Sequence, residues 1–318
     1  YGDGGQGVVG SYTFISGTTV PDVTAYGTQV DLDDDGDLDI FLGGGSVDAI
    51  VRNEGAPWYN FTIDAGRTQV ISNSFPTTSG TLRDVNNDGW LDLYVANGEN
   101  WNDGNPIYYR DFFYLGGANG FTNRSDMIRS DAFYTRGVSW GDADRDGWSD
   151  LYVGNYRIVP NRYYRNDNGS LDALSAVGAN PENVLEGFPR TYNSQGPYWG
   201  HTIGSAFGDL NDDGYPDLSV SNFASDNRLY HNNGDGTFTD VAPELGVTEP
   251  GSSLATWFWD YNNDGWLDLF VAGYGFRIED VAADYLGMPN DGERMRLYKN
   301  DGAGGFVDAT RETGLYRV

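Results

Sequence analysis

The sequence predicts an all-β chain, a β-propeller of four-stranded blades, on three observations. A nine-residue pattern, D-x-(D/N)-x-D-G-x-x-D, occurs five times, starting at residues 31, 84, 142, 209 and 260. Every copy runs directly into apolar strand code, as in Leu93-Tyr94-Val95, Leu151-Tyr152-Val153 and Leu269-Phe270-Val271. The start-to-start spacings of 53, 58, 67 and 51 residues leave room for four short strands per unit, the size of a propeller blade.

Each unit reads in the same order. An apolar strand leads in, as in Ser205-Ala206-Phe207-Gly208 or Thr256-Trp257-Phe258-Trp259. The Asp-rich loop and the second strand follow. A third strand comes next, at Ile50 to Asn53, Phe113 to Leu115, Arg162 to Asn166, Arg228 to Asn232 and Arg296 to Asn300. A Gly-rich hairpin and a fourth strand close the unit, clearest at Phe238 to Val241 and Phe306 to Ala309. Five full blades are counted from about residue 23 to 311, so a single five-bladed domain over 23–318 is expected, preceded by an N-terminal segment, 1–22. That segment has strand character at Tyr12 to Ser16, suited to closing the ring, covering an edge or adding to a neighbouring subunit.

The five loops carry hard oxygen donors at positions 1, 3, 5 and 9, with glycine at position 6 for the sharp reversal. This is the donor set that Ca²⁺ selects. The expected ligands are Asp31, Asp33, Asp35, Asp37 and Asp39; Asp84, Asn86, Asp88, Trp90 and Asp92; Asp142, Asp144, Asp146, Trp148 and Asp150; Asp209, Asn211, Asp213, Tyr215 and Asp217; and Asp260, Asn262, Asp264, Trp266 and Asp268. Position 7 serves through its backbone carbonyl, so its side chain is expected to vary freely. The loops are not EF-hands: position 12 is Leu42, Val95, Val153, Val220 or Val271 rather than Glu, and strands rather than helices follow. A dockerin is disfavoured on the same grounds, and by five loops in place of two.

Charge agrees with about five ions. The chain of 318 residues holds 47 Asp and Glu against 19 Lys and Arg, a formal −28. Five Ca²⁺ would reduce this to about −18 and contribute about 1.4 kcal/mol each at ten times the dissociation constant, so calcium is read as structural first. The acidic balance argues against nucleic acid. No apolar run approaches the roughly 20 residues of a membrane span. The chain starts at Tyr1, as expected of a mature form with its leader removed or an excised fragment, and it has no Cys. Glycine is abundant (45 residues) and aromatics reach 15%, which fits tight turns between short strands.

These loops and spacings resemble the FG-GAP/VCBS repeat family, whose calcium loops also occur in integrin α-subunit propellers. The Leu-Tyr-x-Asn…Gly…Phe-x-Asp tails of the last two units, Leu229 to Asp240 and Leu297 to Asp308, are similar to the ASPIC/UnbV and cartilage-acidic-protein branch. The resemblance implies metal ligation by loop positions 1, 3, 5, 7 and 9, and extracellular, adhesive or recognition roles.

Ligand binding is expected on the face opposite the calcium loops, where the long inserts fall. Their candidate residues are Trp101, Tyr108, Tyr109, Tyr198, Trp199, His201, Tyr274 and Arg277, aromatics beside polar groups that suit a glycan or a protein partner. A short helical pattern lies at Ile278 to Leu286. Two other functions remain open: a structural subunit of a filament or matrix, and a polysaccharide lyase using His201, Tyr198 and Arg190. No nucleophile motif is present, and His231 reads as an ordinary surface position. Three N-x-(S/T) sequons, at Asn60, Asn123 and Asn168, are glycosylation candidates.

Overall fold

The computed structural model describes residues 12–13, 19–20 and 26–315, apart from 46, 56–59, 72–74, 103–104, 129–131, 157–160, 167–191, 194–195, 198–200, 276–277 and 289–291. The described chain is all-β in plan, and each Asp-rich loop joins the first two strands of its own antiparallel meander. The first repeat comprises Tyr26–Val30, Asp39–Gly43, Ala49–Asn53 and Phe61–Ile63. The second comprises Thr77–Arg83, Asp92–Asn97, Phe112–Leu115 and Thr122–Asn123. The third has three strands among the described residues, Thr135–Gly141, Asp150–Asn155 and Arg162–Tyr164. The fourth comprises Thr202–Gly208, Asp217–Asn222, Arg228–Asn232 and Phe238–Asp240. The fifth comprises Ser253–Trp259, Asp268–Gly273, Arg296–Asn300 and Phe306–Asp308.

The second strand of each meander is hydrogen-bonded on both sides and covered on both faces. Asp92–Asn97, Asp150–Asn155 and Asp217–Asn222 are buried at all six positions, which explains the unbroken apolar code of the first two. In the last the code alternates, and the buried Ser219 and Ser221 are hydrogen-bonded to Thr256 Oγ1 and Leu254 O. Register is constant: Leu93 pairs with Tyr114, Leu151 with Tyr164, Leu218 with Tyr230 and Leu269 with Tyr298. The third strand therefore always ends beside the start of the second, at the loop.

Two compact units are distinguished, Tyr1–Arg136 with Asn166–Ala176, and Gly137–Arg165 with Val177–Val318. In the first, Phe41, Ile50, Leu93, Val95 and Tyr114 share one core with Leu32 of the first loop. In the second, Leu218, Val220, Tyr230 and Ala143 form one cluster, and Leu210, Leu229, Leu269 and Tyr298 another. Full burial of side chains such as Leu93 or Leu229 contributes about 1.5–3 kcal/mol each.

The inserts hold further structure. Glu99–Asn102 and Asn105–Arg110 form a hairpin that Ala132–Phe133 extends. The helical pattern forms a helix over Ile278–Tyr285. Helical turns after the fourth strands, Ala65–Ile71, Ser125–Met127 and Ala242–Leu245, have no counterpart in the sequence reading. They are too short to show helical periodicity. At the first, Asp64 caps the helix by accepting from Arg67 N at 2.9 Å. In the N-terminal segment, Tyr12–Thr13 pairs with Thr19–Val20 in a two-stranded ribbon, and Gly2 to Gly7 lie outside the described residues.

Candidate metal centres

All five loops adopt one conformation, closed by backbone donors on carboxylates. The position-1 carboxylate accepts twice. Its Oδ1 takes the position-5 N–H, as from Asp88 to Asp84 at 3.1 Å, and its Oδ2 takes the glycine N–H, as from Gly89 to Asp84 at 2.8 Å. The same pair recurs at Asp31, Asp142, Asp209 and Asp260. The position-5 carboxylate accepts from position 7, from Asp37, Trp90, Trp148, Tyr215 and Trp266. Position 4, unremarked in the sequence reading, is left-handed in every loop: Asp34, Asn87, Arg145, Asp212 and Asn263 have φ of 53–60°. The position-6 glycines follow at φ of 86–93°, a region that side chains avoid.

The position-9 carboxylates are the buried ends of the loops. Asp39, Asp92, Asp150, Asp217 and Asp268 are at most 1% exposed. Each accepts through Oδ2 from the N–H of loop position 2: Leu32, Val85, Ala143, Leu210 or Tyr261. Oδ1 takes the N–H at the end of the third strand, from Asn53, Gly116, Asn232 and Asn300, at 2.8–2.9 Å. Burial pushes the carboxyls of Asp39, Asp217 and Asp268 above their ordinary range. Asp92 is pushed up to about 7 by burial, with the charges of Asp88 and Asp84 adding to the effect.

This donor set fits a hard divalent cation. Carboxylate oxygens of Asp31, Asp33 and Asp39 lie within 4.8 Å of one another, as do those of Asp142, Asp144 and Asp146. Asp33 Oδ1 is buried without a hydrogen-bond partner. A cation placed among such oxygens would remove the repulsion and the burial penalty that raise Asp39 and Asp92. Position 7 is less free than expected. Its side chain lies over the turn that follows the third strand, so a Cβ on Gly302 would stand 2.6 Å from Trp266 Nε1.

Two residue types that sequence reasoning left without a role act on the loops. The Asn closing the third strand reaches the position-2 carbonyl of the preceding repeat: Asn166 Nδ2 to Val85 O at 2.8 Å, Asn232 to Ala143 O at 2.7 Å, and Asn300 to Leu210 O at 2.8 Å. The residue before that Asn stands beside its own loop. Arg52 pairs with Asp33, Arg165 with Asp144 at 2.5 Å, and Lys299 with Asp264 at 3.4 Å. His231 is therefore not a plain surface position, since its Nδ1 shares a hydrogen bond of 3.0 Å with Asp217 Oδ1.

The expected ligand-face residues separate into groups. In the first unit Tyr108 is 45% exposed and edge-on to Tyr134, whereas Tyr109 is stacked on Phe75 at 4.6 Å and serves packing. Trp101 lies in the insert hairpin, its backbone paired with Pro106. In the second unit His201 and Tyr274 belong to one ring cluster. His201 is edge-on to Tyr156 at 4.8 Å, Tyr156 meets Phe223 at 6.2 Å, and Phe223 meets Tyr274 at 5.7 Å. Tyr156, Phe223 and Tyr274 each follow a second strand directly, a recurrence by which the first two could have been found. Tyr198, Trp199, Arg190, Arg277 and the sequon residue Asn168 lie outside the described residues, so of the lyase set only His201 is placed. Asn60 is half-buried, and Asn123 is exposed with its Oδ1 accepting from Ser125 N.

The model of the FG-GAP-like repeat matches residues 31–95, 84–153 and 209–271, more than half of the chain. The chain belongs to the FG-GAP-like repeat family. Its four-stranded meanders are the β-propeller-like fold of these repeats, with the Asp-rich loops inside the matched spans. Human cartilage acidic protein 1 is 24% identical over 313 aligned residues, covering 83% of this chain and 44% of the relative. The mouse protein is 25% identical over 283 residues, covering 78% and 40%. The chain thus spans less than half the length of these relatives. Among solved structures, an Agrocybe aegerita lectin that recognises non-reducing terminal N-acetylglucosamine shares the fold, with a TM-score of 0.52 and 17% identity over 89% of this chain and 64% of the lectin chain. Among the described residues no helix is long and apolar enough to cross a membrane.

Proposed function

We propose that this FG-GAP-like chain is a calcium-stabilised, five-bladed β-propeller over residues 23–318, acting as an extracellular binding module for a glycan or protein. One observation carries the reading: five loops, 51–67 residues apart, repeat the same carboxylate geometry with a buried position-9 Asp. Calcium would be held by positions 1, 3, 5 and 9 and the position-7 carbonyl, about one ion per loop. It would supply charge neutralisation and a rigid link between the first two strands of each blade. The chain's own residues provide the rest. The position-9 carboxylate ties each loop to its third strand, and the ring cluster of Tyr156, His201, Phe223 and Tyr274 offers stacking surface on the insert side.

The similarity to cartilage acidic protein 1 supports an extracellular setting, with Asn60 and Asn123 as glycan acceptors there. The test is a calcium titration followed by thermal melting and by light scattering on a sizing column, with EDTA as control. A rise in melting temperature of ten degrees or so at unchanged mass is expected from five linked sites. A rise in mass would move the function to self-assembly, and no response to calcium would end the reading.

A further inference from the structure

The five loops are not chemically equal, and the difference is matched by a residue outside them. Position 3 is Asp in the first and third loops (Asp33, Asp144) and Asn in the others (Asn86, Asn211, Asn262). The third-strand residue preceding the closing Asn, or Gly116 in the second repeat, is Arg in those same two repeats (Arg52, Arg165) and Leu115, His231 or Lys299 elsewhere. The two differences meet in space: Arg52 Nη2 pairs with Asp33 Oδ2, and Arg165 Nη2 with Asp144 Oδ2 at 2.5 Å. His231 and Lys299 contact their loops at positions 9 and 5 instead. The first and third loops are also the two whose carboxylate oxygens crowd within 4.8 Å.

We propose that Arg52 and Arg165 are built-in counter-ions that offset the fourth carboxylate of their loops and set calcium affinity there. The inference rests on the calcium reading above. Counted at positions 1, 3, 5 and 9 alone, one guanidinium against four carboxylates leaves the same balance as three carboxylates; Asp34 and Asp37 of the first loop and Arg145 of the third stand at positions 4 and 7, outside that set. That is the state of the second loop, which has Asn86 at position 3 and Leu115 at the place that Arg52 and Arg165 take in their repeats. The pairing is one-sided. Asp33 gives Oδ2 to Arg52 and keeps Oδ1 buried without a partner. Asp144 Oδ2 lies 2.5 Å from Arg165 Nη2, an ion pair without an aligned hydrogen bond, while its Oδ1 accepts from Asp146 N at 3.3 Å. One oxygen of each carboxylate is thus committed to the guanidinium, and the other remains for a metal. The planar fork suits this use, because it holds a carboxylate oxygen in place while adding a fixed charge. Arg52 and Arg165 are positioning residues, acting on calcium through Asp33 and Asp144.

The experiment is calcium calorimetry and melting, with and without EDTA, on the wild-type chain, on Arg165→Met, and on Arg165→Leu combined with Asp144→Asn, which rewrites the third repeat in the pattern of the second. In Arg165→Met one bound ion should tighten roughly three- to tenfold, while the melting temperature in EDTA falls. The combined variant should restore the melting temperature in EDTA and bind with near wild-type affinity. Arg165→Lys should lie between wild type and Arg165→Met. A calcium isotherm for Arg165→Met that superimposes on a normal wild-type isotherm overturns the counter-ion role alone. A wild-type chain that binds no calcium overturns the calcium reading itself. If Arg165→Met does not fold, the combined variant decides: loss of its fold too would mean that Arg165 serves packing and not charge.

Discussion

Asn232 donates from Nδ2 to the backbone oxygen of Ala143 at 2.7 Å, across 89 residues of sequence. The same side chain donates to Pro216 O at 3.1 Å, and its own N–H bonds the buried Asp217. One residue thus ties a third strand to its own loop and to the loop of the preceding repeat. Asn300 repeats the arrangement on Leu210, Leu267 and Asp268. Replacing Asn300 by Ala strands two carbonyls and should cost about 2–4 kcal/mol, read by urea denaturation. Asn300→Asp should be at least as damaging, since a carboxylate cannot donate to either carbonyl. A loss within 0.5 kcal/mol would show that the bonds between repeats are dispensable.

Gly208 ends the first strand of the fourth repeat, and a Cβ there would stand 2.6 Å from the Phe258 ring of the fifth. Gly141 meets Phe207 in the same way. Gly208→Ala should destabilise by about 1–3 kcal/mol through overpacking. Adding Phe258→Leu should recover part of the loss, so that the double mutant is less destabilised than the two single losses combined. Additive losses would mean that the ring and the glycine do not constrain one another.

Asp64 caps the helix Ala65–Ile71 and pairs with Arg67 Nη1 at 2.6 Å. Burial alone would raise its carboxyl, but the Arg67 N–H and guanidinium hold it below the ordinary value of 3.8. A depressed carboxyl contributes stability above its unfolded value, which is lost as pH falls through the folded one. Asp64→Ala should therefore cost about 1–2 kcal/mol at neutral pH, and the gap to wild type should close below about pH 4. A gap constant from pH 7 to pH 3 would remove the charge from the account.

Tyr274 contributes an exposed ring to the cluster with Phe223. Tyr274→Ala should leave the calcium-dependent rise in melting temperature unchanged. Binding on a glycan array should weaken about three- to tenfold for any glycan that the wild type retains. Undiminished binding would place the ligand elsewhere, with the insert around Tyr108 as the next surface to test.

The meanders and the loops were legible because their determinants are local. Within nine residues a loop carries its carboxylates, its left-handed position 4 and its glycine, and most of its hydrogen bonds close inside that span. The strand after the second and third loops is an apolar run, and that after the fourth alternates apolar residues with serine, so Leu93 to Val95, Leu151 to Val153 and Leu218 to Val220 could all be placed from the sequence. The helical turn at Ala65–Ile71 was not legible, since seven residues capped by one Asp leave no periodic trace.

Residue by residue, the sequence by itself determined that Asp31, Asp84, Asp142, Asp209 and Asp260 each start an oxygen-rich turn feeding a buried strand. Tertiary structure alone decided what stands around those turns. Asn166, Asn232 and Asn300 reach carbonyls 81, 89 and 90 residues away; Arg52 faces Asp33; and Tyr156, His201, Phe223 and Tyr274 meet in one cluster. The physical reason is range. A turn is set by bonds among neighbours in the chain, whereas a partner several tens of residues away is chosen by strand register and the packing of one sheet on the next.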